Sequence, residues 1–100
     1  MLIVLAKARV GDGALEAARA AIAAMVEASR AEEGCIDYTF TADVLDPAML
    51  HIVEKWRDGD ALAAHFATPH MAAFGTAIAD LDVEIIEAIR YEADEGAPVM

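Results

Sequence analysis

The chain has 100 residues, enough for one domain, and its 58% of apolar residues includes so much alanine that large core side chains are few. A formal net charge of −11 excludes a phosphate-binding surface of clustered Lys and Arg and disfavours docking on anionic membranes. No apolar run approaches the ~20 residues that span a bilayer.

Met1 to Val10 reads as a strand, with Leu2, Ile3, Val4 and Leu5 apolar on both faces. Gly11-Asp12-Gly13 breaks it, and Asp12 or Gly13 caps a helix over residues 14 to about 31. Leu15, Ala18, Ile22, Met25 and Ser29 step along one face of that helix, with Val26 beside them. Gly34 is its natural stop after Glu32 and Glu33.

Cys35 to Asp43 alternates, which places Ile36, Tyr38, Phe40 and Ala42 on one strand face. Asp46-Pro47 marks a turn into a third strand, Met49 to Arg57, in a hairpin with the second. Asp58 caps a short helix over about 59 to 67. Thr68 caps another, with Pro69 at its first position and Met71, Phe74, Ile78 and Leu81 as its apolar stripe. Val83 to about Ala93 is the last strand, with Val83, Ile85 and Ile89 expected on one face and Ile86 and Ala88 on the other. Residues 1–93 thus form the domain and 94–100 a loose tail.

The order β-α-β-β-α-β, with the second helix split, is α+β and ferredoxin-like: helices cover one face of a four-stranded antiparallel sheet. The apolar residues left on the second face are expected to be covered by a second copy, giving a homodimer. Cys35 is alone, so no internal disulfide is expected. With no secretory signal pattern at the N-terminus, the expected location is the cytoplasm.

The chain's histidines are His51, His65 and His70, and neither HxxxH nor CxxC occurs. His65 and His70 stand five apart across a helix start, a spacing that disfavours joint ligation, so no metal is expected. Gly11-Asp12-Gly13 lacks the rest of a phosphate loop, and Cys35 reads as a packed thiol.

Glu33-Gly34-Cys35-Ile36-Asp37-Tyr38, Glu54-Lys55-Trp56, Asp60 to Phe66, Thr68-Pro69-His70 and Phe74 follow one another in an order that resembles the antibiotic biosynthesis monooxygenase family, in particular its small quinol-monooxygenase-like members. The resemblance covers about residues 1–93 and implies a dimeric α/β barrel with a pocket between sheet and helices. It also implies oxidation of a small aromatic quinol or anthrone by O₂, with no metal or flavin cofactor. Related members degrade haem with an Asn, a Trp and a His at places that fall here near Ala6, at His65 and near Gly75; none matches, so haem degradation is disfavoured.

His65 neighbours Leu62 and Phe66 at helical spacing, so a neutral imidazole there can serve as the catalytic base. Its position near a helix end fits a structural role as well. Trp56, Tyr38, Phe40, Phe66 and Phe74 are the expected substrate-binding residues, because flat rings stack on a planar substrate. Glu54 shares a strand face with Ile52 and Trp56, where a buried carboxylate is expected to pair with Lys7, Arg9 or Arg90. A dimeric, non-catalytic small-molecule-binding or stress-response module is the alternative reading, since a fold alone guarantees no reaction.

Overall fold

The computed structural model describes residues 1–100. Its elements are β1 (Leu2–Val10), α1 (Ala14–Arg30), β2 (Cys35–Ala42), β3 (Met49–Trp56), α2 (Gly59–Phe66), α3 (Pro69–Ile78) and β4 (Val83–Glu92). The strands form one antiparallel sheet in the order β2-β3-β1-β4, so the fold is ferredoxin-like with its second helix divided.

Local chemistry sets the boundaries. Gly13, at φ 74°, starts α1 by its backbone alone, without a side-chain cap. Gly34 has φ 87°, and a Cβ there would meet the Ala61 Cβ at 2.7 Å, so the turn into β2 and the approach of α2 both require glycine. Asp58 accepts from the Ala61 N–H at 2.9 Å and caps α2. Thr68 accepts from the Met71 N–H at 3.3 Å, starting α3, and donates to the His65 carbonyl at 2.7 Å, closing α2. Thr68→Ala removes both bonds and is expected to cost ~1 kcal/mol of stability, read as a lower urea midpoint at unchanged slope.

Strand parity sends Leu2, Val4, Ala6, Ala8 and Val10 of β1, and Leu50, Ile52, Glu54 and Trp56 of β3, toward the helices. One packed cluster joins Leu2, Met25, Val26, Tyr38, Trp56, Ala61 and Leu62; a second joins Ala6, Ala8, Val10, Ala14, Leu50 and Ile52.

Two register shifts depart from simple alternation. At the start of β2, Trp56 faces Cys35 and Lys55 faces Asp37, so Ile36 lies at the irregularity and is exposed instead of joining Tyr38. In β4 a shift opposite Lys7 and Ala8 puts Ile85 across from Ala8 and Ala88 across from Ala6. Ile85 and Ala88 therefore share the helix side with Val83, while Ile89, across from Leu5, belongs to the opposite face. A period of two cannot anticipate a bulge, because the extra residue reverses every later side chain.

Candidate active site

Beneath α3 the small side chains of β1 leave space. Ala6 and Ala8 fill little volume, and no α3 residue is fully buried. The result is a cavity of about 300 Å³ between the sheet, α1 and α3. Its floor is Val4, Ala6, Ala8, Leu50, Ile52, Glu54 and Ala88; Ala18, Ile22 and Met25 of α1 and Met71, Phe74 and Ile78 of α3 form its walls. Tyr38 and Phe40 enter from β2, their rings stacked with centroids 6.1 Å apart, and Phe74 meets Phe40 edge-on at 6.3 Å. Phe66, largely exposed, also contributes to the lining. The cavity has the size and apolar lining of a site for a small molecule.

Glu54 is the only charged residue in that lining. The expected pairing with Lys7, Arg9 or Arg90 is not made. Lys7 and Arg9 leave β1 on the other sheet face, Arg9 bridges to Asp46 at 3.3 Å, and the carboxylate instead accepts from Trp56 Nε1 at 3.0 Å. Burial pushes the Glu54 carboxyl up from its ordinary value; the Trp56 hydrogen bond and the nearby His65 pull against that shift. Glu54 is thus a carboxylate with a raised proton affinity at the wall of an apolar chamber, the setting of a general base. Burial beside Glu54 and Glu32 raises Tyr38 too, so its phenol stays protonated.

Trp56 and His65 stand behind this wall and do not line the cavity. Trp56 is 0% exposed and fixes Glu54 through its indole N–H. His65 is 1% exposed, with its ring 4.6 Å from that of Trp56. Its Nδ1 lies 2.6 Å from Glu32 Oε2, and Nε2 has no hydrogen-bond partner. His70 Nε2 lies 2.8 Å from the same Glu32 oxygen, so the fold brings His65 and His70 together on one carboxylate. His51 pairs with Asp43 at 2.7 Å. The Cys35 thiol is pushed up by burial and by Glu32, Asp37 and Glu54, which leaves it a poor nucleophile.

Glu54 was visible in the sequence as the one acidic residue on the helix-facing parity of β3; reading it as an ion pair hid its place at the cavity. Glu32 carried no local signal, because its histidine partners lie 33 and 38 residues away.

A sequence model of the antibiotic biosynthesis monooxygenase family matches residues 1–77. An uncharacterized protein of Synechocystis sp. is 36% identical over 70 residues, which are 70% of this chain and 48% of that protein; the chain spans about half the length of this curated relative. A crystal structure from Deinococcus radiodurans that carries the antibiotic biosynthesis monooxygenase name superposes with a TM-score of 0.90 at 26% identity, covering 100% of this chain and 99% of that one. A conserved protein of unknown function from Bacteroides thetaiotaomicron superposes at 0.83 with 28% identity, covering 92% and 96%.

Proposed function

The chain belongs to the antibiotic biosynthesis monooxygenase family, and on that premise we propose that it is an internal monooxygenase for a small aromatic quinol-like substrate, working with O₂ and without metal or flavin in the reaction. The observation that carries this reading is a single proton acceptor, Glu54, set in an otherwise apolar chamber walled by Tyr38, Phe40 and Phe74. Glu54 takes a phenolic proton from the quinol. The resulting electron-rich anion is the form that O₂ oxidises, and the dry walls keep it from being reprotonated by bulk water. The balance is quinol plus O₂ giving a hydroxylated quinone plus one water, so no outside reductant is needed. Tyr38, Phe40, Phe66 and Phe74 hold the ring. Trp56 orients Glu54 through its indole N–H, and His65 stands behind them against the Trp56 ring.

The test is dioxygen uptake by the metal-free protein against a panel of quinols and anthrones. Uptake that depends on enzyme and shows saturation with at least one of them is the expected result. A folded protein that binds these compounds but consumes no oxygen would leave a binding module in its place.

The same reading includes a homodimer through the sheet face turned away from the helices. Leu5, Ile89 and Tyr91 are exposed there, with Val53 beside them. Lys7 on β1 pairs in register with Glu87 on β4, so a two-fold copy can set each charge against its opposite. Leu5→Glu is expected to convert the dimer to monomer in sedimentation at micromolar concentration without loss of helical signal; a variant that stays dimeric would remove this face as the interface. No helix of the chain is long and apolar enough to cross a membrane. A lone Cys35 thiol held protonated suits a reducing compartment, and we place the protein in the cytoplasm.

A further inference from the structure

We propose that Glu32, His65 and His70 form a binding site for one divalent transition-metal cation of the zinc type, separate from the cavity. Glu32 lies in the turn after α1, His65 on α2 and His70 on α3, so the site joins three segments that are otherwise connected only by packing and loops. Their ligand atoms Oε2, Nδ1 and Nε2 lie within 4.8 Å of one another. Two imidazoles and one carboxylate are the donor set that borderline divalent ions select. The Glu32 side chain is 13% exposed and that of His70 is 23%, so water can reach the site and complete a tetrahedral shell, whereas His65 anchors it from inside at 1%.

His65 supplies the second observation. With Nδ1–H donating to Glu32, the buried Nε2 keeps a lone pair that meets no hydrogen-bond donor. A cation on Nδ1 moves the proton to Nε2. The ring that carries the new N–H lies 4.6 Å, centroid to centroid, from the Trp56 ring and near enough to Glu54 to interact with it electrostatically. To admit the cation, the Glu32 carboxylate withdraws from between the two rings and becomes the third ligand. None of the three residues lines the cavity, so the ion serves as a structural staple outside it.

The test uses chelator-treated full-length protein titrated with Zn²⁺ and, separately, Co²⁺. The expected results are one ion per chain by calorimetry, a raised Tm with Zn²⁺, and the visible ligand-field bands of tetrahedral cobalt. Binding weakens toward acid pH, because protons compete with the cation for the imidazole nitrogens. His70→Gln, at the partly exposed ligand, is expected to weaken binding by more than the ~10–100-fold typical of losing an outer-shell partner. His51→Gln, at the separate Asp43 pair, leaves it unchanged. Absence of cobalt bands and of zinc heat, or equal affinity in the folded His70→Gln variant and the parent, would overturn the site.

Discussion

Glu54→Gln is expected to lower the oxygenation rate by ~10²–10⁴, the usual worth of a general base, in a protein that remains folded. Gln keeps the size of Glu and keeps an oxygen for the Trp56 N–H, now 3.0 Å from Glu54 Oε1, but it cannot accept the substrate proton at neutral pH. His65→Gln, which changes a group outside the cavity lining, is expected to have a smaller effect on rate and to act mainly through the proton affinity of Glu54. That effect appears as a displaced acidic limb in the pH–rate profile. If the two variants were ranked the other way, His65 would be the base and Glu54 a structural acceptor.

The same substitution reports on stability. The folded-state pKa of Glu54 is raised above the ordinary 4.5, so the folded state holds its proton more tightly than the unfolded chain does. The stability linked to this group is fully present below about 4.5 and is lost as pH rises through the folded-state value. Glu54→Gln has no such loss. Its urea midpoint is therefore expected to gain on the parent's as pH rises from 4 toward 7, relative to the difference at the acid end. A gap that widened toward acid would mean that burial does not govern this carboxyl.

Trp56→Ala is expected to cost ~3–5 kcal/mol, the largest stability loss in the chain. The side chain is 0% exposed, meets Tyr38 edge-on at 6.2 Å and His65 at 4.6 Å, and sits in the cluster that joins sheet, α1 and α2. Against a total of ~5–15 kcal/mol for a domain, such a loss leaves little margin. For a chain of this size it corresponds to a fall in Tm of at least ~12 °C, measured by calorimetry. Trp56→Phe keeps most of the ring but loses the N–H on Glu54, so it is expected to be milder in stability and clear in activity. Equal stability of Trp56→Ala and the parent would show that the cavity region is repacked without it.

The fold was legible because its signals are local. Gly34, Asp58 and Thr68-Pro69 punctuate the chain by their own backbone chemistry, and the stripe Leu15, Ala18, Ile22, Met25 and Ser29 needs only the helical period. Tyr38, Phe40 and Phe74 could be expected near a cavity for the same reason. Ile36 and Ile85 escaped because a bulge changes parity without leaving a mark in residue type. The meeting of Glu32 with His65 and His70 depends on how α1 ends against the α2–α3 corner, a tertiary matter that no spacing encodes. The role of Glu54 was half visible: its parity was readable and Lys7 and Arg9 face the other side, but that its bond goes to Trp56 two residues on, and not to Arg90, is a tertiary matter.

The most direct measurement is the fate of ¹⁸O₂ in a single turnover of metal-free protein with a quinol it consumes. The account predicts one ¹⁸O atom in the hydroxylated quinone and the other in water, with no hydrogen peroxide and no need for added metal or flavin. An unlabelled quinone formed together with hydrogen peroxide would contradict it, because oxygen would then serve only as an electron acceptor and the chamber around Glu54 would not be a monooxygenase site.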